Sequence, residues 1–214
     1  MEQQIHFCTT HDGVQIAYGT AGQGPPLVKA ANWLSHLEFD WQSPIWRHLL
    51  REFSRDHTFI RYDERGNGLS DWNVADLSFN AWVEDLESVV NAAKVDRFPL
   101  LGISQGGAVA IAYAVRHPEK VSHLILYGAY ARGWITRDSA EEIEQRQAQL
   151  TLVRLGWGKD NPAFRCDVIR DLMPHLRRST LSCFDCPRAH ARGYLRTVLR
   201  TSPGTLSGAF IRTQ

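Results

Sequence analysis

The sequence predicts an α/β fold, in which a mostly parallel sheet is covered by helices on both faces. Short apolar segments alternate along the chain with segments whose apolar residues recur at helical spacing, and the connections between them are short. At Gly102–Gly106, between an apolar segment and an alanine-rich helical segment, lies a Gly-x-Ser-x-Gly pentapeptide. With 214 residues, of which 43% are apolar, the chain is long enough for about one domain with a well-buried core.

The elements before the pentapeptide follow from local patterns. Two alternating segments around an Asp-Gly turn predict an antiparallel hairpin, and a short apolar run predicts a strand that leads into a loop. An apolar stripe behind a proline predicts a helix with that proline at its first position. In order, these are the hairpin strands Ile5–Cys8 and Val14–Tyr18, the strand Leu27–Ala31, the loop Asn32–His36 and the helix Pro44–Phe53.

The rest of the chain continues the alternation up to about Tyr130. A strand leads into a glycine-rich turn and a helix, the pentapeptide follows another strand, and a further helix and strand come after it. A polar helical segment beyond Tyr130 would suit a cap over the site. In order, these elements are Thr58–Tyr62, the turn Asp63–Ser70, the helix Asn80–Ala93, the strand Phe98–Leu101, the helix that ends at Arg116-His117-Pro118, the strand Val121–Tyr127 and the polar helix Asp138–Arg154.

Composition changes near Arg165. Arginines accumulate from there onward with few carboxylates, and only Ser179–Phe184 has a strand-like pattern. We expect residues 1–164 to form the core and the start of a cap, and residues 165–214 to be an atypical arginine-rich tail, disordered or non-native. The remaining length cannot hold a cap and two further strand-helix units, so we expect a sheet that is incomplete at its C-terminal end, with an apolar edge and poor stability.

Composition also bounds the function. A formal net charge of +1 gives no reason to expect a nucleic acid or an anionic membrane as partner. The N-terminus has no basic and apolar signal segment, and no apolar run approaches the roughly 20 residues of a membrane span, so we expect a soluble cytoplasmic protein. Cys183 and Cys186 have Cys-x-x-Cys spacing near His175 and His190, but no second cysteine pair accompanies them, and we expect no metal and no cofactor.

The pentapeptide centred on Ser104 has the context of a nucleophile elbow. A strand runs directly into it and a helix starts directly behind it, which is the arrangement that holds a serine in a strained turn at the carboxyl edge of a sheet. Gly102 and Gly106 are expected to be required because a Cβ at either place would clash with neighbouring backbone. The helix N-terminus would then direct N–H groups at an oxyanion formed by attack of Ser104 on a carbonyl.

Four stretches together resemble a known family. They are Phe7–Val14, Ala30–Glu38, Tyr62–Gly66 and Leu101–Gly107. The elbow, the glycine-rich turn and the strand order together resemble the α/β-hydrolase superfamily. More narrowly, the four stretches in combination look like the bacterial hydrolase domains found alone or fused to adenylate cyclase or LuxR-type regulatory domains. The resemblance implies a serine hydrolase of the α/β-hydrolase type that acts on a small-molecule substrate.

The resemblance also implies roles for particular residues. Ser104 is the nucleophile, the backbone N–H of Gln105 is one oxyanion donor, and a second N–H comes from the loop after the Leu27–Ala31 strand, with Trp33 as the expected position. This loop departs from the family pattern, since Ala31-Asn32 replaces the usual His-Gly. Asp63 and Arg65 match the family's Asp-x-Arg-Gly-x-Gly turn and are expected to support the site from behind as an ion-paired turn.

A serine nucleophile needs a histidine to accept its proton and a carboxylate to orient that histidine, in the chain order Ser, acid, His. No histidine stands in a recognisable setting: His117 and His123 are expected to be surface or structural residues, whereas His175 and His190 lie in the arginine-rich tail. We therefore carry three hypotheses. The first is hydrolysis of an ester, thioester, amide or related acyl substrate, the second is a ligand-sensing domain with a regulatory partner, and the third is an inactive truncated remnant.

Overall fold

A computed structural model describes residues 2–32, 35–130, 133 and 138–156. It contains six strands, which are β1 Gln3–Thr9, β2 Gln15–Ala21, β3 Pro26–Lys29, β4 Thr58–Tyr62, β5 Phe98–Ile103 and β6 Val121–Tyr127. Its helices are α1 Leu37–Gln42, α2 Arg47–Phe53, α3 Phe79–Ala92, α4 Gly106–Arg116 and α5 Ala140–Gly156. The Arg-rich tail, including Ser179–Phe184 and the Cys183–Cys186 pair, lies outside the described residues.

The six strands form one sheet in the order β1-β2-β4-β3-β5-β6. β1 and β2 are antiparallel, β2 is antiparallel to β4, and the four strands β4, β3, β5 and β6 are mutually parallel. The predicted mostly parallel sheet is therefore confirmed. Parallel strands end at one edge of the sheet, and it is there that the loop after β3, the turn after β4 and the pentapeptide after β5 meet.

Each face of the sheet buries an apolar layer. On one face α3 and α4 contribute Leu86, Val89 and Tyr113 to a core with Ile60 and Leu100 of the sheet. The opposite face carries a smaller cluster, in which α2 packs on the sheet through Leu27, Leu50, Phe59 and Leu101, with Trp46 and Phe53 beside them. Helices thus cover both faces, as the alternating pattern predicted.

The structure corrects the predicted helix from Pro44 to Phe53. Pro44 does not occupy a first helical position, because Pro44 lies in a turn that precedes α2, which begins at Arg47. A separate short helix, α1, occupies Leu37–Gln42, where His36 caps it: the His36 ring nitrogen Nδ1 accepts the N–H groups of Glu38 and Phe39. A histidine cap lacks the Ser, Thr, Asp or Asn signature of a helix start.

β6 is the outer strand of the described sheet on the side away from the hairpin. Leu124, Ile125 and Tyr127 of this strand are 38%, 44% and 73% exposed. The strand carries neither a charged side chain nor a proline, which are the devices that ordinarily discourage edge pairing. Within the described residues, the expected apolar edge is present.

No helix among these residues is both long and apolar enough to cross a membrane.

Candidate functional site

Ser104 stands at the junction of β5 and α4. Its backbone has φ +51°, in the left-handed region that residues with a Cβ seldom adopt, and its side chain is exposed. Two backbone hydrogen bonds hold this conformation: the Ser104 N–H donates to Tyr127 O over 3.0 Å, and Gly107 N–H donates to Ser104 O over 3.1 Å. A conformation of this kind costs about 1–3 kcal/mol and persists only where its surroundings impose it. The predicted strand-turn-helix geometry is present.

The glycines around Ser104 are set by close packing. A Cβ on Gly106 would lie 2.4 Å from the carbonyl oxygen of Ala31, and one on Gly102 would lie 2.7 Å from the Cα of Gly107. Both distances are shorter than any real Cβ contact, so the pentapeptide tolerates only glycine at these positions without backbone movement. The start of α4 therefore contacts the loop that follows β3 directly, at the Ala31 carbonyl.

The expected oxyanion donors are described unequally. Gln105 is the N-cap residue of α4, and no described residue accepts a hydrogen bond from its backbone N–H, which leaves that group available at the helix N-terminus. Trp33, the expected second donor, lies outside the described residues. The loop on its N-terminal side is fixed, because Ala30 N–H donates to Leu101 O over 2.9 Å.

Asp63 is fully buried in the turn after β4. Its Oδ2 accepts the backbone N–H of Leu37 at 3.1 Å and that of Leu69 at 2.9 Å. Burial raises the pKa of this carboxyl, whereas the two N–H groups oppose the rise. Because Leu37 begins α1, Asp63 ties the turn after β4 to the end of the loop that follows β3.

Arg65 binds different partners from Asp63. Its guanidinium pairs with Asp85 of α3 over 2.7 Å and with Asp12 of the hairpin turn over 2.7 Å, and the Arg65 and Asp85 side chains are both fully buried. The two hydrogen bonds to Asp12 hold the pKa of that carboxyl down at about 2. The turn is thus ion-paired, as expected, but through α3 and the hairpin rather than within itself.

A second group of charged side chains lies beneath the loop, and sequence reasoning missed it. Arg61 Nη1 donates to Asp40 Oδ2 over 2.9 Å, and Arg61 Nη2 donates to the carbonyl oxygen of Leu37. Lys29 Nζ contacts the Asn32 side chain and donates to Ala30 O over 3.3 Å. The sequence does contain a signal for this group, because Lys29 and Arg61 are charged residues within otherwise apolar strand segments. In the sheet they are register partners and face the same side.

Glu64 is a further buried carboxyl at this edge, only 2% exposed. It accepts a hydrogen bond from Asn67 Nδ2 over 3.0 Å. Burial, with repulsion from Asp85 next, raises the pKa of Glu64 to about 8, against the opposing attraction of Lys29. Glu64 is therefore largely protonated near pH 7.

No histidine of the described residues hydrogen-bonds to Ser104. His117 ends α4 and lies 2.9 Å from Glu87, and His123 is exposed on β6, so both lie in the surface or structural settings expected for them. His36, in the loop after β3, is committed to the α1 cap through Nδ1. His175 and His190 lie outside the described ranges, and within those ranges no three His, Cys, Asp or Glu side chains are grouped to hold a metal.

The family follows from comparison with known proteins. Residues 37–178 match the model of the alpha/beta hydrolase fold family. This chain belongs to that family. Solved structures agree with the fold: a hydrolase from Pseudomonas aeruginosa PA01 superposes with a TM-score of 0.63 at 21% identity, over 91% of this chain and 72% of the other.

Two curated relatives show how much of a family member the chain represents. It is 33% identical over 110 residues to 2-hydroxymuconate semialdehyde hydrolase of Pseudomonas sp. (strain CF600), which covers 50% of this chain and 34% of the relative. It is 32% identical over 116 residues to pyrrolizixenacetamide deacetylase of Xenorhabdus hominickii, over 54% of this chain and 42% of the relative. The matched part thus spans less than half the length of either relative.

Proposed function

We propose that this α/β-hydrolase chain is a serine hydrolase in which Ser104 attacks the acyl carbon of an ester, thioester, amide or related small substrate. The observation that carries the proposal is the backbone of Ser104, a non-glycine residue at φ +51° with an exposed side chain between β5 and α4. A strained backbone at a solvent-exposed serine does not improve packing. The strained conformation of Ser104 therefore favours a chemical role for this residue.

In the proposed reaction the Ser104 Oγ adds to the carbonyl carbon while a base accepts its proton. The developing oxyanion is stabilised by the N–H of Gln105 at the N-terminus of α4 and by the N–H of Trp33. The tetrahedral intermediate then collapses: the protonated base gives its proton to the departing alcohol, thiol or amine, and an acyl-Ser104 ester remains. Water hydrolyses this ester to the carboxylic acid and regenerates the Ser104 hydroxyl. Asp63 and Arg65 act only by holding the surrounding loops.

A second candidate function rests on a different observation. Among the described residues no side chain hydrogen-bonds Ser104 Oγ, and a serine without a base is a poor nucleophile. A ligand-sensing domain that keeps the fold and pocket but lacks turnover would share this feature, and so would an inactive remnant. The sensing domain and the inactive remnant both predict an unreactive Ser104, whereas the hydrolase predicts a reactive one. One experiment distinguishes these outcomes.

The test is the intact mass of the purified chain after incubation with a fluorophosphonate. We expect one stoichiometric adduct that the Ser104→Ala variant lacks and that the matched control Ser122→Ala, which removes a hydroxyl from β6, retains. A folded wild-type chain that gains no adduct would contradict the hydrolase and favour the sensing domain. An adduct that persists in Ser104→Ala would refute Ser104 as the nucleophile.

A further inference from the structure

Next to the elbow, a cavity of about 40 Å³ lies between the sheet and α2. A volume of this size holds roughly three water-sized groups. One side of the cavity is apolar, formed by Trp46, Leu49 and Phe53 of the α2 region with Ile103, the residue that precedes Ser104. The other side is polar and includes Lys29, Asn32, Arg61 and the carboxylate of Asp40.

The two cations on the polar side differ in their partners. Arg61 is matched by Asp40, with which it forms an ion pair of 2.9 Å, and it also bonds the Gln3 side chain at 3.1 Å. Lys29 forms no ion pair with any carboxylate of the described residues, and among these residues its ammonium donates to the Ala30 carbonyl and to the Asn32 amide oxygen. One N–H of Lys29 is therefore left for another acceptor.

The other acidic groups near Lys29 are already engaged. Asp63 is held by two backbone N–H groups, and Glu64 has its pKa raised to about 8, so Glu64 is largely neutral near pH 7. Burial, with repulsion from Arg61 next, lowers the pKa of Lys29 to about 8, and the attraction of a bound anion would raise that pKa again. The cavity therefore combines space for a small group with a cation that forms no ion pair with a carboxylate of the described residues, although Asp40, Asp63 and Glu64 attract it from a distance.

We infer that this cavity is a subsite for a carboxylate, in which the Lys29 ammonium pairs with one carboxylate oxygen and the short carbon chain lies against Trp46 and Leu49. The carboxylate belongs to the substrate of the hydrolase proposed above, so this part of the inference rests on that function. Lys29 of β3 pairs in register with Leu101 of β5, which lies three residues before Ser104. Lys29 and Ser104 are therefore roughly 10 Å apart along the strand direction.

The first arm of the test measures binding and does not depend on Ser104. We expect acetate, but not acetamide, to raise the melting temperature of the wild-type chain and of Ser104→Ala in a buffer free of other small anions. Lys29→Met should weaken acetate binding by at least about tenfold, as expected for loss of a charge-assisted hydrogen bond, whereas Lys29→Arg and the exposed control Lys120→Met should retain it.

The comparison of acetate with acetamide in the wild-type chain remains valid if Lys29→Met fails to fold. An equal response to acetate and acetamide, no response to either, or unchanged acetate binding in a folded Lys29→Met variant would overturn the subsite.

The second arm concerns the substrate. We expect p-nitrophenyl monoesters of succinate, glutarate or adipate to be cleaved with at least about tenfold higher kcat/KM than the same esters with a terminal amide, and Lys29→Met should abolish the preference. A preference that survives in Lys29→Met would overturn the assignment of the carboxylate to Lys29. Absence of cleavage of every ester, together with charge-dependent acetate binding, would overturn the hydrolase and leave the anion site standing.

Discussion

Glu64 should make the protein less stable as the pH rises through the neutral range. The carboxyl has a pKa of about 8 in the fold and 4.5 as its ordinary value, so the folded state holds a proton that the unfolded state releases. The resulting stability is fully present below pH 4.5 and is lost as the pH rises towards 8. At about 1.4 kcal/mol for each pH unit, this one group should lower the free energy of unfolding by about 3 kcal/mol between pH 5 and pH 8.

Glu64→Gln isolates this contribution. Glutamine keeps an oxygen to accept the Asn67 amide and resembles the protonated acid in shape, but it cannot ionise. Urea unfolding at pH 5 and pH 8 should therefore show a flatter pH dependence in Glu64→Gln than in the wild type, with the gain at pH 8. Glu52→Gln, at an exposed site on α2, is the control and should leave the slope unchanged. Equal slopes in the wild type and Glu64→Gln would refute the buried, protonated state of Glu64.

Two further substitutions test the packing around the site. Gly106→Ala forces a Cβ against the Ala31 carbonyl, so it should lower the free energy of unfolding in urea by about 1–3 kcal/mol and abolish fluorophosphonate labelling. The control Gly19→Ala places its Cβ against the flexible Gln3 side chain and should lower the stability less. Equal losses in the two variants would contradict the close approach of Gly106 to Ala31. Arg65→Met leaves Asp85 buried without its partner and should lower the free energy of unfolding by about 3–5 kcal/mol. The double variant Arg65→Met/Asp85→Leu removes the unpaired charge and should recover most of this loss. A double variant as unstable as the single one would contradict the ion-pair explanation.

Elements set by local pattern were predicted well from the sequence. The strands Thr58–Tyr62 and Val121–Tyr127 match β4 and β6 residue for residue, because each is a short run of mainly apolar and β-branched residues between polar or turn-forming segments. The helix start near Pro44 was wrong because α1 and α2 are separated by a turn, and α1 is fixed by bonds to His36 and Asp63 that no local propensity encodes.

Side-chain partnerships at the site were less predictable. Arg65 was expected to be ion-paired, but its partners Asp12 and Asp85 are 53 and 20 residues away, so only the folded arrangement of hairpin and helix identifies them. The burial of Glu64 and Lys29 depends in the same way on which strands are neighbours. The setting of Ser104, by contrast, was predictable from the sequence. The pentapeptide and its flanking segments specify the elbow within about fifteen residues of chain.

The position of the sheet edge limits where a base for Ser104 can come from. Groups that reach an elbow serine must lie beyond the carboxyl ends of the parallel strands, and the described strands β3 to β6 end at Lys29, Tyr62, Ile103 and Tyr127. Of the described histidines, only His36 stands in a loop that leaves one of these ends, and its Nδ1 is occupied by two N–H groups of α1.

In a catalytic triad one ring nitrogen of the histidine faces the serine and the other bonds the acid. To serve as this histidine, His36 would have to give up the cap of α1, or act through Nε2 without an acid on Nδ1. A reactive Ser104 consequently requires either this change at His36 or a base from outside the described residues. An unreactive one would leave the strained serine and the Lys29 cavity as a binding site without turnover. The reactivity of Ser104 and the charge dependence of acetate binding are thus separate properties, and together they distinguish an acylating enzyme from a carboxylate sensor on the same fold.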